Sequence, residues 1–212
     1  MKYTCVIWDF NGTIFDDVRI GIESINVLLE RRGLPSVDSE EQYKSSFMFP
    51  IIEWYRGLGF NFEKEDYSAV AVEWVEEYLS REHKAGLVDG VADVLKFISD
   101  KGIRQVIISA AELTMLKRQL SELKVKDYFT DVVGLDNVHA AGKTDIAQKW
   151  REENPDERLL FIGDTDHDCS VAKAIGADCI LVSAGHQSYD RLLKYEPKLA
   201  VVRKPEEIIF FL

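Results

Sequence analysis

The chain has 212 residues, 46% of them hydrophobic and 30% charged, with a formal net charge of −11. That length fits one large domain or a core carrying one insert, and the apolar share suffices for a substantial core. The acidic balance, with no Lys/Arg stripe and interleaved aromatics, argues against nucleic acid as a partner. The longest apolar runs, residues 179–184 and 208–212, are far too short to cross a bilayer.

In chain order, residues 3–8 read as a first strand that ends at Asp9-Phe10-Asn11-Gly12-Thr13. A carboxylate at a strand end serves as nucleophile or metal ligand, and Gly12 lets backbone amides turn toward an anion. Alone, this stretch is equally an ordinary Asn-Gly turn. Residues 16–85 break the strand rhythm. Val18, Ile22, Ile25 and Leu29 share a helix face, and Gly33-Leu34-Pro35 stops that helix. Asp38 with Glu41 reads as a capping box for the next one. Tyr67, Val70, Ala71, Trp74 and Tyr78 follow a helical i, i+3, i+4, i+7 pattern.

Beyond the insert, strand and helix alternate. Residues 104–109, 131–133, 158–162, 178–183 and 199–202 read as strands, and 91–101, 113–123, 144–153 and 169–175 as helices. The strands are continuous Val, Ile and Leu rather than alternating, as in a parallel sheet covered on both faces. This predicts a doubly wound α/β core from residues 1–15 and 86–212, with a helical insert at 16–85. In such sheets ligands bind at the carboxyl ends of the strands. There stand Ser109, Lys143 in Gly142-Lys143-Thr144, and the run Gly163-Asp164-Thr165-Asp166-His167-Asp168. A lysine at a helix N-terminus opposes the macrodipole, which suggests a local anion. Three carboxylates in five residues after an apolar strand form a hard-oxygen set suited to magnesium. The three cysteines, Cys5, Cys169 and Cys179, show no CxxC spacing and read as buried thiols. Met1-Lys2 leads straight into a strand without a signal-peptide pattern, so a reducing cytoplasm is expected.

Taken together and in this order, the motifs resemble the haloacid dehalogenase superfamily of phosphohydrolases. That family begins with Asp-x-Asp-Gly-Thr, here Asp9-Phe10-Asn11-Gly12-Thr13. It then places a Ser or Thr after strand two, here Ser109, followed by a Lys, here Lys143, and Gly-Asp-x-x-x-Asp, here Gly163-Asp164 and Asp168. The insert resembles the small helical cap of phosphoglycolate phosphatase-like members. The resemblance implies a Rossmann-like core and attack on phosphorus by Asp9 through an aspartyl-phosphate. It implies Mg2+ on Asp9, Asn11, Asp164 and Asp168, and phosphate contacts from Asn11, Gly12, Ser109, Ala110 and Lys143. A small phosphorylated metabolite is the implied partner; the sequence sets no oligomeric state.

One departure matters. The family's phosphatases carry a second Asp, the general acid/base, where this chain has Asn11. An amide cannot exchange a proton in that way, and losing an acid/base costs about 10²–10⁴ in rate. Several readings stay open: a slow or leaving-group-selective phosphatase; a stand-in acid among Asp16, Asp17 and His186; a regulatory or binding module; and, remotely, dehalogenase chemistry. The first is favoured, because Asp9, Ser109, Lys143, Asp164 and Asp168 would be surplus in a molecule that only binds. It carries the expectation that Asn11→Asp raises alkyl phosphate turnover about a hundredfold or more. Lys44, Phe47, Met48, Trp54 and Arg56 lie mid-insert, where a cationic side chain can meet a second substrate anion. Gly185 and His186 follow strand five as candidate pocket residues. A receiver-like domain would carry its Asp after strand three, and a nucleotide-binding Rossmann protein would need a Gly-rich turn.

Overall fold

The computed structural model describes residues 2–135 and 142–212. In chain order its first half runs β1 (Cys5–Trp8), β2 (Phe15–Asp16), α1 (Val18–Arg31), α2 (Glu40–Ser46), α3 (Ile51–Gly57), α4 (Tyr67–Arg81) and β3 (Gly86–Leu87). There follow α5 (Val91–Asp100), β4 (Arg104–Glu112), α6 (Leu113–Glu122), β5 (Asp131–Leu135) and α7 (Lys143–Glu153). The last elements are β6 (Leu159–Gly163), α8 (Asp166–Ala174), β7 (Asp178–Val182), α9 (Tyr189–Leu193) and β8 (Ala200–Val202).

The core strands are apolar throughout because both of their faces are buried. On β1, Val6 and Trp8 enter one apolar layer while Cys5 and Ile7 enter the other. Among the described residues six parallel strands form one sheet in the order β5-β4-β1-β6-β7-β8. The chain builds outward from β1 through β4 to β5, then returns to β6 and continues to β8. The reversal lies beside β1, where open α/β sheets hold their ligands. Trp8 pairs with Ile107 on one side and Ile162 on the other, so the segments that follow β1, β4 and β6 emerge at one rim.

Helices α1 to α4 gather a third apolar cluster around Ile25, Leu28, Leu29, Tyr43, Trp54 and Tyr55. The expected absence of strand in this stretch needs one correction. Phe15 and Asp16 pair antiparallel with Leu87 and Gly86, a two-stranded ribbon where the chain leaves and re-enters the core. The expected capping box on Asp38 is also displaced: the N-cap of α2 is Ser39, whose hydroxyl accepts from the Gln42 amide. All three cysteines are buried and free. Among the described residues no helix is long and apolar enough to cross a membrane.

Candidate active site

Asp9 follows β1 and Asp164 follows β6, so their carboxylates rise from adjacent strands at the same rim. Asp168 lies in the first turn of α8, and its carboxylate folds back to accept from the amides of Asp164 (3.1 Å) and Thr165 (3.0 Å) and from the Thr165 hydroxyl (2.7 Å). Thr165 in turn caps α8. Lys143 opens α7 and is buried, with its ammonium bonded to both Asp9 and Asp168. The anion that a lysine at this helix start requires is thus a pair of carboxylates. Burial works against its charge, but Asp168 and Asp9 outweigh burial and raise its pKa.

The carboxylates of Asp9, Asp164 and Asp168 offer oxygens within 4.8 Å of one another, all buried. Burial pushes Asp164 up to about 8, although the charge of His186 opposes it. Asp164 accepts from the Thr13 hydroxyl at 3.1 Å and the His186 amide at 2.6 Å. Burial likewise pushes Asp9 up to about 6 against the pull of Lys143. Asp168 behaves oppositely: the ammonium and its hydrogen bonds overcome burial and hold it low. Hard carboxylate oxygens converging in a buried cluster fit a divalent cation such as Mg2+.

Ser109 is buried two residues past Ile107, and its hydroxyl accepts from the Ala111 amide at 3.1 Å. It stands at the same rim, on the strand beside Asp9, without a bond to the acidic cluster. Ala110, next along β4, is exposed. Gly12 has φ +72° and donates its amide to Asp17 at 2.8 Å. Asp166 is half-buried and outside the cluster; its amide and carboxylate both bond Gln187.

The largest surprise surrounds Asn11. Its amide nitrogen donates to Asp17 at 2.8 Å and to the Tyr78 hydroxyl at 2.9 Å. Asp17 and His186, two of the candidate stand-in acids, are buried and meet at 3.1 Å, with Tyr43 3.0 Å from the other ring nitrogen of His186. Asp16 is exposed and takes no part. Among the mid-insert candidates, Lys44 donates to the Ala184 carbonyl and pairs with Glu40. Arg56 is exposed, pairs with Glu53 and lies over Phe62. Phe47 and Trp54 belong to the insert's own apolar cluster, with Met48 packed against it. Lys44 is thus tied to the segment after β7, whereas Arg56 stays at the surface in an exposed pair with Glu53. Thr13, Tyr43, Tyr78 and Gln187 were not singled out from the sequence, because each acquires its role from a partner far along the chain; Thr165 was passed over although its partner Asp168 lies three residues on, in a local capping box.

A family model described as haloacid dehalogenase-like hydrolase matches residues 6–182. A protein of Caldanaerobacter subterraneus bearing the name pyrophosphatase PpaX is 23% identical, over 93% of this chain and 89% of its own. Phosphoglycolate phosphatase 1 of Pseudomonas aeruginosa is also 23% identical, over 92% of this chain and 75% of its own. Among solved structures, a haloacid dehalogenase-like hydrolase from Streptococcus pneumoniae superimposes with a TM-score of 0.82 at 21% identity, covering 99% of this chain and 98% of that one.

Proposed function

Because this chain belongs to the haloacid dehalogenase-like hydrolase family, we propose that it is a Mg2+-dependent phosphatase. It acts on a small phosphorylated metabolite with Asp9 as nucleophile, and residues 16–85 serve as the cap. The observation that carries this reading is the convergence of Asp9, Asp164 and Asp168, with Lys143 bonded to the first and last. Relatives that bear phosphatase and pyrophosphatase names support the same substrate class.

Asp9, the Asn11 carbonyl and Asp164 would hold Mg2+, with Asp168 completing the acidic set behind Lys143. When bound, the ion supplies positive charge against which a phosphoryl group is oriented and its developing charge neutralised. The protein groups do the rest. Asp9 forms a bond to phosphorus as the bond to the leaving oxygen breaks and its electron pair departs with that group. Lys143, Ser109 and the Ala110 amide hold the phosphoryl oxygens through the transition state, while the Gly12 amide is committed to Asp17. Water then adds to phosphorus, the bond to Asp9 breaks, and the proton leaves with inorganic phosphate. Burial of the cluster under the insert keeps bulk water from competing.

Residue 11 is an amide held by its neighbours, so it protonates no leaving group. Substrates whose leaving group departs as a stable anion, acyl phosphates and aryl phosphates, are therefore favoured over alkyl phosphates by about 10² or more in kcat/KM. The deciding experiment assays acyl, aryl and alkyl phosphates with and without Mg2+ on wild type and Asp9→Ala. Mg2+-dependent release of phosphate that vanishes in Asp9→Ala is expected. Activity that survives in Asp9→Ala, or none on any substrate, removes this reading. Intact-mass analysis after rapid quenching should also catch phosphorylated Asp9, since its hydrolysis lacks the usual base; unmodified protein at every time point argues against the intermediate.

A further inference from the structure

The carboxylate of Asp17 is oriented unusually for its place in the fold. Asp17 is the N-cap residue of α1, yet its side chain caps no amide of that helix. Aspartate at this position ordinarily accepts from the second or third helical N–H. Here it turns toward the nucleophile loop. One oxygen accepts from the Gly12 amide (2.8 Å) and faces the His186 ring nitrogen (3.1 Å). The other accepts from the Asn11 amide (2.8 Å) and the Tyr78 hydroxyl (2.7 Å). The group is buried, so its donors come from the nucleophile loop (Asn11, Gly12), the segment after β7 (His186) and the insert (Tyr78).

We propose that Asn11 and Asp17 form an exchanged amide–carboxylate pair, in which Asp17 is a positioning residue that fixes the nucleophile loop and ties it to the insert. The donor and acceptor counts carry the argument. Asn11 gives both protons of its amide to this cluster, and an ionised aspartate at residue 11 has none to give. Placed there, it would face the Asp17 carboxylate at hydrogen-bond distance, with the Tyr78 proton already directed at Asp17. Like charges this close in a buried site are strongly unfavourable. Simple restoration of the family's second aspartate is therefore not expected to rescue activity, contrary to the expectation drawn from the motif alone. The exchange is symmetric, however. Asparagine at residue 17 offers an oxygen to Gly12 and His186 and an amide to a carboxylate at residue 11, with Tyr78 free to donate to the latter.

The kinetic part of this inference rests on the phosphatase reading; the structural part does not. The test compares wild type, Asn11→Asp, Asp17→Asn and the double exchange. It measures kcat and KM for acetyl phosphate and an alkyl phosphate with Mg2+, together with thermal melting. Each single exchange is expected to lower kcat at least tenfold with KM within threefold, at temperatures where the protein is folded. The double exchange should exceed the product of the two single effects by tenfold or more, and should recover the melting temperature. A purely structural role would leave kcat per folded molecule unchanged and overturns the positioning claim. A double variant that merely multiplies the single losses, or an Asn11→Asp protein more active and more stable than wild type, overturns the pairing. If a single variant fails to fold, a folded double variant supports the pair and an unfolded one sinks it. Should no protein turn over phosphate, the phosphatase reading fails by itself, and the melting temperatures still decide the pairing.

Discussion

Asp164 is fully buried at the sheet rim, and the space for its carboxylate comes from two glycines. A Cβ on Gly12 would stand 2.3 Å from its outer oxygen, and one on Gly185 only 2.1 Å. Gly12 also sits at φ +72°, so alanine there mixes backbone strain with collision. Gly185 isolates the collision. Gly185→Ala is expected to displace Asp164 and weaken Mg2+ binding about 10–100-fold, the loss typical when a ligand's support is disturbed. It should also cost about 1–3 kcal/mol of metal-free stability through overpacking. Isothermal titration with Mg2+ and urea melts measure both; an unchanged Mg2+ affinity would argue that Asp164 is no ligand. At this scale Asp9, Lys143, Asp164 and Asp168 were legible as candidates, because Asp9 and the carboxylates of 164–168 follow apolar strands and Lys143 opposes a helix dipole. Asp17 and His186 stood out only as possible stand-in acids or pocket residues and Tyr78 only as part of a helix face; the network that joins them was not legible. Their bonds cross 61 residues between Asp17 and Tyr78 and 169 between Asp17 and His186, and no local pattern encodes such separations.

Helix α2 lies against the segment after β7, and this contact ties the insert to the core. The Ser188 amide donates to the Lys44 carbonyl (3.1 Å), Lys44 donates to the Ala184 carbonyl (2.9 Å), and Gln187 donates to the Phe47 carbonyl (3.2 Å). Two ring contacts add to them: Phe47 on His186 at 5.2 Å and Phe49 on His167 at 5.0 Å. Gln187 is fully buried and also bonds both the amide and the carboxylate of Asp166, so it links the latch to the acidic loop. Gln187→Ala leaves the Asp166 amide and the Phe47 carbonyl without a partner, a loss of about 1–3 kcal/mol. Amides of α2 should then exchange with deuterium about 10–100-fold faster, reporting easier local opening. Unchanged protection would mean that the other contacts alone hold the latch. Long helices and continuous strands were readable because their periodicity runs over many residues. The ribbon β2–β3 was not, since two residues per strand contain no alternation. The N-cap of α2 was misread by one residue because Asp38 and Ser39 are both competent caps and only the chain's path selects Ser39.

For the molecule as a whole, pH and Mg2+ should act on stability together. In the metal-free protein Asp164 lies at about 8, raised chiefly by burial. His186 lies at about 9, since Asp17 and its hydrogen bond outweigh a burial that favours the neutral ring. Both values exceed those of the unfolded chain, about 4 for Asp and 6.5 for His. Through these windows the folded state keeps a proton that the unfolded state has released. Stability therefore falls as pH rises from about 4 to 8 through Asp164 and from about 6.5 to 9 through His186. Asp17 and Asp168, both held low by their partners despite burial, act with the opposite sign and withdraw stability only on the acid side. On the proposed reading Mg2+ would reverse the upper limb: a cation held by Asp164 displaces its proton, so affinity should rise about tenfold per pH unit up to about 8. Each such step adds about 1.4 kcal/mol of stabilisation at a fixed Mg2+ concentration well above Kd. Melting temperatures of the metal-free protein should decline between pH 6 and 9, while the shift produced by Mg2+ grows from pH 6 to 8. Ionic strength must be matched, because a chain of net charge −11 gains from any added salt. Asp164→Asn should flatten the Asp164 part of the decline and abolish the growing shift. A shift that is constant or shrinks with pH in wild type would separate Asp164 from the cation altogether.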